Sequence, residues 1–306
     1  MPQQVNIEKL VYGGEGLART GEGIVLVPGA LPGEQVSIEI EPAKRGVRRA
    51  QLLEIVSPSP HRVQPRCPFF SGCGGCQHQQ ISYAQQLAWK TDILRECFER
   101  IGKLKLALPI EAITADPWEY RNRIRLHGRK AAGQFELGFE RQASNDLCRV
   151  DSCAISSPAI QQAVSALTSG ELFENTASGE FEIELFAADN DRELMATVSA
   201  SVPPPKDFGD RWMAAIPSFT SISWTIRPRS TQTRSFQAKP TYWGGGGLTV
   251  RVDDYHFRVS HGSFFQTNRY LLPNMIEAAT GDLQGERALD LYAGVGFFTL
   301  PLTRRF

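Results

Sequence analysis

Three cysteines within ten residues, Cys67-Pro-Phe-Phe-Ser-Gly-Cys73-Gly-Gly-Cys76, impose a tight, irregular loop on whatever fold surrounds them. Five residues separate the first pair and two the second, while Gly72, Gly74 and Gly75 let the backbone wrap closely. Three sulfurs can then converge on one metal ion or cluster, with a fourth ligand drawn from elsewhere in the chain. The competing reading is a disulfide. The N-terminus, Met1-Pro-Gln-Gln, has no basic and apolar leader, and no run of about 18 apolar residues occurs in the sequence. These features read as a cytoplasmic chain without a membrane partner, where thiols favour metal binding or catalysis over disulfides.

Charge sharpens the question of partner. Thirty-three Lys and Arg balance thirty-three Asp and Glu, but the signs are segregated. Between Pro42 and Arg66 lie Lys44, Arg45, Arg48, Arg49, Arg62 and Arg66, opposed only by Glu54. From Glu171 to Glu193 the excess is acidic. Zero net charge therefore does not exclude a nucleic-acid partner, because a basic face can be hidden in the balance.

Residues 5–56 alternate short apolar runs (5–10, 24–27, 36–40 and 51–56) with Gly13-Gly14, Gly21-Glu-Gly23 and Pro32-Gly33. Strands of that length punctuated by such turns predict a small antiparallel β-barrel, with Ser57-Pro58-Ser59-Pro60 as a linker. A β-module without a ligand is the alternative. After the cysteines, Ser82-Tyr-Ala-Gln85 has the capping-box pattern, and Ala84, Leu87, Leu94, Phe98 and Ile101 follow at helical spacing up to Gly102. Cys97 within this helix reads as a small buried hydrophobe.

Arg121, Arg123 and Arg125 fall at a spacing of two, which on a strand puts three guanidinium groups on one face while Ile124 and Leu126 point the other way. Such a face can fork hydrogen bonds onto phosphates or stack on bases; the alternative is a solvated edge strand protected by charge. A helix is predicted from Ser157-Pro158 to Gly170, and the arginine-bearing stretch between Arg227 and Lys239 reads as a mobile loop. Near the end, Ala288-Leu-Asp290-Leu-Tyr292-Ala-Gly294-Val-Gly296 predicts an apolar strand ending in an acid and a Gly-x-Gly turn that opens a helix. Thr299 stands where a nicotinamide fingerprint would place a third glycine, so the pattern suits S-adenosylmethionine better. A ligand-free strand-to-helix turn is the alternative.

Taken together, Cys67-x5-Cys73-Gly-Gly-Cys76-Gln77, Tyr83, Gln86-Leu87, Lys90, Arg121-Asn-Arg123, Ser263-Phe-Phe-Gln-Thr-Asn268 and Leu289 to Gly296 resemble the RNA uracil-C5 methyltransferases. The resemblance implies an α/β multidomain chain. Residues 1–58 would be a TRAM β-barrel of oligonucleotide-binding type, 59–260 a central α+β domain binding a cluster and RNA, and 261–306 only the beginning of a Rossmann-like methyltransferase domain. It further implies a 4Fe-4S cluster on Cys67, Cys73, Cys76 and Cys153, with Cys153 preferred over Cys148; zinc on the same thiolates is the alternative. Gln266, Asp290, Tyr292, Gly294, Gly296 and Phe297 would line the S-adenosylmethionine site, although Phe297 offers only packing where many relatives carry asparagine. Arg48, Arg49, Arg121, Arg123 and Arg125 would face RNA.

The implied activity is formation of 5-methyluridine in 23S rRNA by a monomeric enzyme, with tRNA as the alternative substrate. A radical methylthiotransferase is disfavoured by its different cysteine spacing. In the family a cysteine adds to C6 of uracil and a base removes the C5 proton, in motifs expected after Phe306. The expectation is therefore a chain inactive by itself, an iron-sulfur RNA-binding fragment. Residues 261–306 are also expected to be marginally stable unless they pack on the rest of the chain.

Overall fold

A computed structural model describes residues 2–43, 46–227, 239–281 and 283–306. Lys44 and Arg45 of the basic stretch, and most of the loop expected between Arg227 and Lys239, lie outside the described residues. The chain divides into two compact units, Met1–Ala112 and Ile113–Phe306.

In the first unit, β1 (Gln3–Asn6), β5 (Gln35–Ile40) and β6 (Ala50–Ser57) form one antiparallel sheet. A second contains β2 (Lys9–Leu10), β3 (Gly16–Thr20) and β4 (Gly23–Val27). A bridge from Leu26 to Arg49 joins the two sheets. The inward residues Val5, Ile7, Ala18, Val25, Val27, Val36, Ile38 and Ala50 make a common core, as alternation along strands requires. Strand β3 was not anticipated, because Gly-Leu-Ala-Arg-Thr carries only Thr20 as a β-branched residue and is held by pairing with β4.

The expected linker is part of this unit. Ser59 is buried, and Glu34, fully buried, accepts hydrogen bonds from the Leu31 and Ser59 amides and from Arg62 Nε and Nη2. Helix α1 (Tyr83–Glu96) continues into a π-helical turn, Cys97–Ile101, before Gly102. Its Trp89 and Ile93 pack on Leu10, Leu31 and Ile81. Ser82 takes the N-cap place without a side-chain capping hydrogen bond, so the capping box is not formed.

The second unit is built on a seven-stranded sheet. It uses β7 (Arg123–Ala131), β8 (Gln134–Glu140), β9 (Leu147–Arg149), β10 (Gly179–Ala187), β11 (Leu194–Ala200), β12 (Phe219–Ile226) and β13 (Thr241–Gly244). Their order is β13-β12-β11-β10-β7-β8-β9, and only the β11–β12 pair is parallel. Helices α2 (Pro158–Thr168), with Ile160, Val164 and Leu167 inward, and α3 (Phe208–Ala215) pack with the sheet. Phe173, Phe181, Phe208, Trp212 and Trp224 form a buried aromatic cluster. Lys130 Nζ donates to the carbonyls of Phe173, Glu174 and Thr176 at 2.7, 2.6 and 2.9 Å, tying the turn after α2 to β7.

The hairpin β14 (Gly247–Val252) and β15 (Tyr255–Ser260) shares one core with α4 (Leu272–Thr280). Phe257, Phe265, Leu272, Ile276 and Phe297 meet Phe186 and Met195 of the large sheet there. Within residues 261–306 the side chains of Phe265, Leu272, Ile276 and Phe297 pack on the rest of the second unit through this core. The apolar strand expected at Ala288–Asp290 is not formed. Residues 283–298 run through turns and irregular chain to the short helix α5 (Thr299–Leu302), and Leu289 and Leu291 are exposed. A strand needs a ladder partner, and among the described residues none lies beside this segment. Among the described residues no helix is long and apolar enough to cross a membrane.

Candidate functional site

Two loops of the second unit meet around one aromatic hub. The Phe265 ring lies edge-on to Phe297, with centroids 5.5 Å apart, and both contact Phe257 at 6.0 and 5.4 Å. This contact brings residues 263–268, carrying half-buried Gln266, against residues 295–298. Phe297 is 6% exposed and packs its ring into the hub.

The second loop has three left-handed residues at alternate positions among five: Tyr292 (φ 63°), Gly294 (φ 58°) and Gly296 (φ 79°). Left-handed backbone explains glycine at two of these positions, while Tyr292 adopts it at a cost and projects fully into solvent. The Thr299 hydroxyl donates to Asp290 Oδ2 at 2.6 Å, fixing the acid at the start of α5. Thr299, read in sequence only as a missing glycine, therefore orients the loop's one carboxylate.

The first loop is held from the start of β7. The Arg269 amide donates to the Tyr120 carbonyl and the Asn122 amide to the Thr267 carbonyl, at 2.9 and 3.0 Å. Asn122 Nδ2 reaches the Gln266 carbonyl at 3.1 Å, and Arg123 Nη1 the Ser263 carbonyl at 2.6 Å. Just before this loop, His261 is wedged among hydroxyls. Thr197 and Ser223 lie 2.8 and 2.9 Å from Nδ1, and Ser221 2.8 Å from Nε2. Burial, with a smaller contribution from Arg258, pushes His261 down to about 4, so it is neutral near pH 7.

The arginine face differs from expectation. Ile124 and Leu126 are buried and the arginines do alternate with them. However, Glu184 of β10 pairs with both Arg123, at 3.1 Å, and Arg125, at 3.2 Å, and Glu182 pairs with Arg125 and Arg227. Antiparallel pairing in the register Glu184↔Arg125 and Glu182↔His127 lays the acidic segment along the basic strand, so the segregated charges neutralise each other. Arg123 is only 11% exposed, beneath the 263–268 loop and 4.6 Å over the Phe186 ring. Arg121 joins Ser156 and Asn268 through backbone bridges, and Arg125 is the most exposed of the three. In the first unit Arg48 pairs with Glu22 and Arg49 with Glu15, both partly exposed.

The cysteine loop is a chain of turns. The Phe70 amide bonds the Cys67 carbonyl, the Cys73 amide bonds the Phe69 carbonyl, and the Gly75 amide points to Cys73 Sγ at 3.4 Å. Amide donors on sulfur suit a thiolate ligand. Cys67, Cys73 and Cys76 are half-buried in the first unit and Cys153 half-buried in the second, whereas Cys148 is buried in β9. Among the described residues no group of three or more His, Cys, Asp or Glu is gathered as a metal site. The donor chemistry of these thiols fits a soft metal.

The family model described as tRNA (uracil-5-)-methyltransferase matches residues 82–306, and the TRAM domain model matches residues 2–53. The chain belongs to the tRNA (uracil-5-)-methyltransferase family, an enzyme family. It is 31% identical over 313 residues to a 23S rRNA (uracil(1939)-C(5))-methyltransferase RlmD of Methylococcus capsulatus, covering 99% of this chain and 69% of the relative. A protein of the same name from Shewanella sediminis is 29% identical over 311 residues, covering 98% of this chain and 67% of the relative. The crystal structure of Pyrococcus abyssi tRNA (uracil-54, C5)-methyltransferase with S-adenosyl-L-homocysteine aligns with a TM-score of 0.73 at 24% identity, covering 99% of this chain and 71% of that one. That likeness shows the α/β methyltransferase fold, which the TRAM domain precedes. Matches along nearly all of this chain give no support to the inactive fragment expected above.

Proposed function

We propose that the protein is an S-adenosylmethionine-dependent RNA (uracil-C5) methyltransferase that forms 5-methyluridine in 23S rRNA. The observation that carries the reading is the meeting of the loop that carries Gln266 and the end of the loop that carries Asp290, Gly294 and Gly296 at the Phe257–Phe265–Phe297 hub. The cofactor, when bound, supplies an electrophilic methyl group. Gln266 would donate or accept hydrogen bonds, Asp290 would accept them, and the left-handed backbone of residues 292–296 would allow close approach without side-chain obstruction. The preference for 23S rRNA over tRNA rests on the names of relatives aligned along almost the whole chain.

RNA would engage the first unit, where Arg48 and Arg49 are exposed enough to exchange Glu22 and Glu15 for phosphates. Arg121 and Arg125 are secondary candidates. Cys67, Cys73, Cys76 and Cys153 would hold a 4Fe-4S cluster; the support is the soft donor set and the Gly75 amide on Cys73 Sγ. Visible absorbance of anaerobically purified protein tests the cluster, and loss of that band in Cys76→Ser is expected; a colourless protein binding stoichiometric zinc contradicts it. Transfer of a labelled methyl group to uracil C5 in 23S rRNA, but not in tRNA, tests the activity. Label on tRNA alone overturns the substrate assignment, and label on a base other than uracil overturns the reaction.

A further inference from the structure

The Arg121-Asn122-Arg123 segment lies against the loop that carries Gln266, and the Asn122 and Arg123 side chains face protein. Between Tyr120 and Arg123, four hydrogen bonds take up the loop: Arg269 to the Tyr120 carbonyl, Asn122 N–H to Thr267, Asn122 Nδ2 to Gln266, and Arg123 Nη1 to Ser263. Residues 263–268 have no helix or strand of their own, so these bonds and the buried Phe265 ring define their path. We propose that Asn122 and Arg123 are positioning residues that hold the 263–268 loop in place, and through it set Gln266 for S-adenosylmethionine, without touching RNA themselves. The inference rests on the reading of Gln266 as a cofactor contact.

Three observations support it. Asn122 is 2% exposed, so its amide serves the interior and its hydrogen bond to the Gln266 carbonyl is shielded from water. Arg123 is largely enclosed: Glu184 pairs with it at 3.1 Å, Phe186 covers one face at 4.6 Å, and its Nε and Nη2 are buried. A phosphate would have to displace both the loop and Glu184 to reach it. Finally, the bonds fall on either side of the Gln266 side chain, at the carbonyls of residues 263, 266 and 267. Anchoring the backbone on both sides of one half-buried side chain fixes where that side chain can reach, which is what productive ligand geometry requires.

The test uses Asn122→Asp, an isosteric change that removes the Nδ2 donor and sets a carboxylate against the Gln266 carbonyl, and Arg123→Lys, which keeps the charge opposite Glu184. For wild type and both variants, S-adenosylhomocysteine affinity is measured by titration calorimetry, RNA affinity by filter binding, and amide exchange peptide by peptide. The expected result is affinity for S-adenosylhomocysteine weakened on the order of ten-fold, as loss of a buried or charge-assisted hydrogen bond implies. RNA affinity should stay within about two-fold, with faster exchange confined to residues 263–269. RNA affinity that falls while S-adenosylhomocysteine binding holds would overturn the proposal, as would unchanged exchange in 263–269. If Asn122→Asp exchanges globally and so has lost its fold, Arg123→Lys decides by the same readouts. Wild-type protein that binds no S-adenosylhomocysteine overturns the reading of Gln266 itself, whereas tight binding shared equally by wild type and variants overturns only the positioning role.

Discussion

Glu34 offers a direct test of how the first unit is held together. Its carboxylate is fully buried and accepts four hydrogen bonds, two from Arg62 at 2.6 and 2.8 Å and one each from the Leu31 and Ser59 amides at 2.8 and 3.2 Å. Burial alone would raise its pKa, but the Arg62 hydrogen bonds and the two amides outweigh burial and hold it below 4.5. Glu34→Gln preserves the volume and turns an amide NH2 toward groups that are themselves donors. Breaking a buried pair from one side costs about 3–5 kcal/mol, and the Arg62 side chain, 21% exposed, regains little hydration in return. The depressed pKa sets the sign of the pH dependence: the wild-type advantage is complete above the unfolded value of 4.5 and is lost as pH falls through the lower folded value. Amide exchange of peptides within residues 2–62, measured for wild type and Glu34→Gln from pH 7 to 3 in denaturant, reads both quantities. A difference below about 0.5 kcal/mol at pH 7, or one that does not shrink as the pH is lowered, would refute the reasoning.

Other expectations follow from the second unit. Lys130→Met should destabilise it by about 2–3 kcal/mol, because three carbonyls lose a charged donor; calorimetric unfolding checks this. Phe297→Ala should cost about 3–5 kcal/mol by opening the aromatic hub, and should accelerate amide exchange in both 263–268 and 290–298. Since His261 titrates near 4 when folded and near 6.5 when unfolded, the stability it supports is present above pH 6.5 and declines as pH falls toward 4. The span corresponds to about 3 kcal/mol, and His261→Gln should flatten that part of the stability profile.

Much of the fold was legible because local pattern and tertiary need coincided. The strands of the first unit alternate inward and outward residues, and α2 starts at Pro158 and ends at Thr168, shortly before the left-handed Gly170 that its sequence marks as the stop. What was not legible depended on partners remote in sequence. Glu182 and Glu184 read as an acidic stretch and Arg123 and Arg125 as a basic face, and only the β7–β10 register brings them together. Likewise Ala288–Asp290 has the composition of a strand, yet composition supplies no neighbouring ladder. At the candidate site, the glycines of the second loop announced its left-handed turns, whereas the reach of Asn122 and Arg123 to a loop some 140 residues later left no local signal.

The central claim concerns one modified base, and mass spectrometry of 23S rRNA from cells lacking the gene measures it. Loss of a single 5-methyluridine from 23S rRNA, restored on return of the gene, is the predicted result. A full complement of 5-methyluridine in 23S rRNA, or a loss confined to tRNA, would contradict the account.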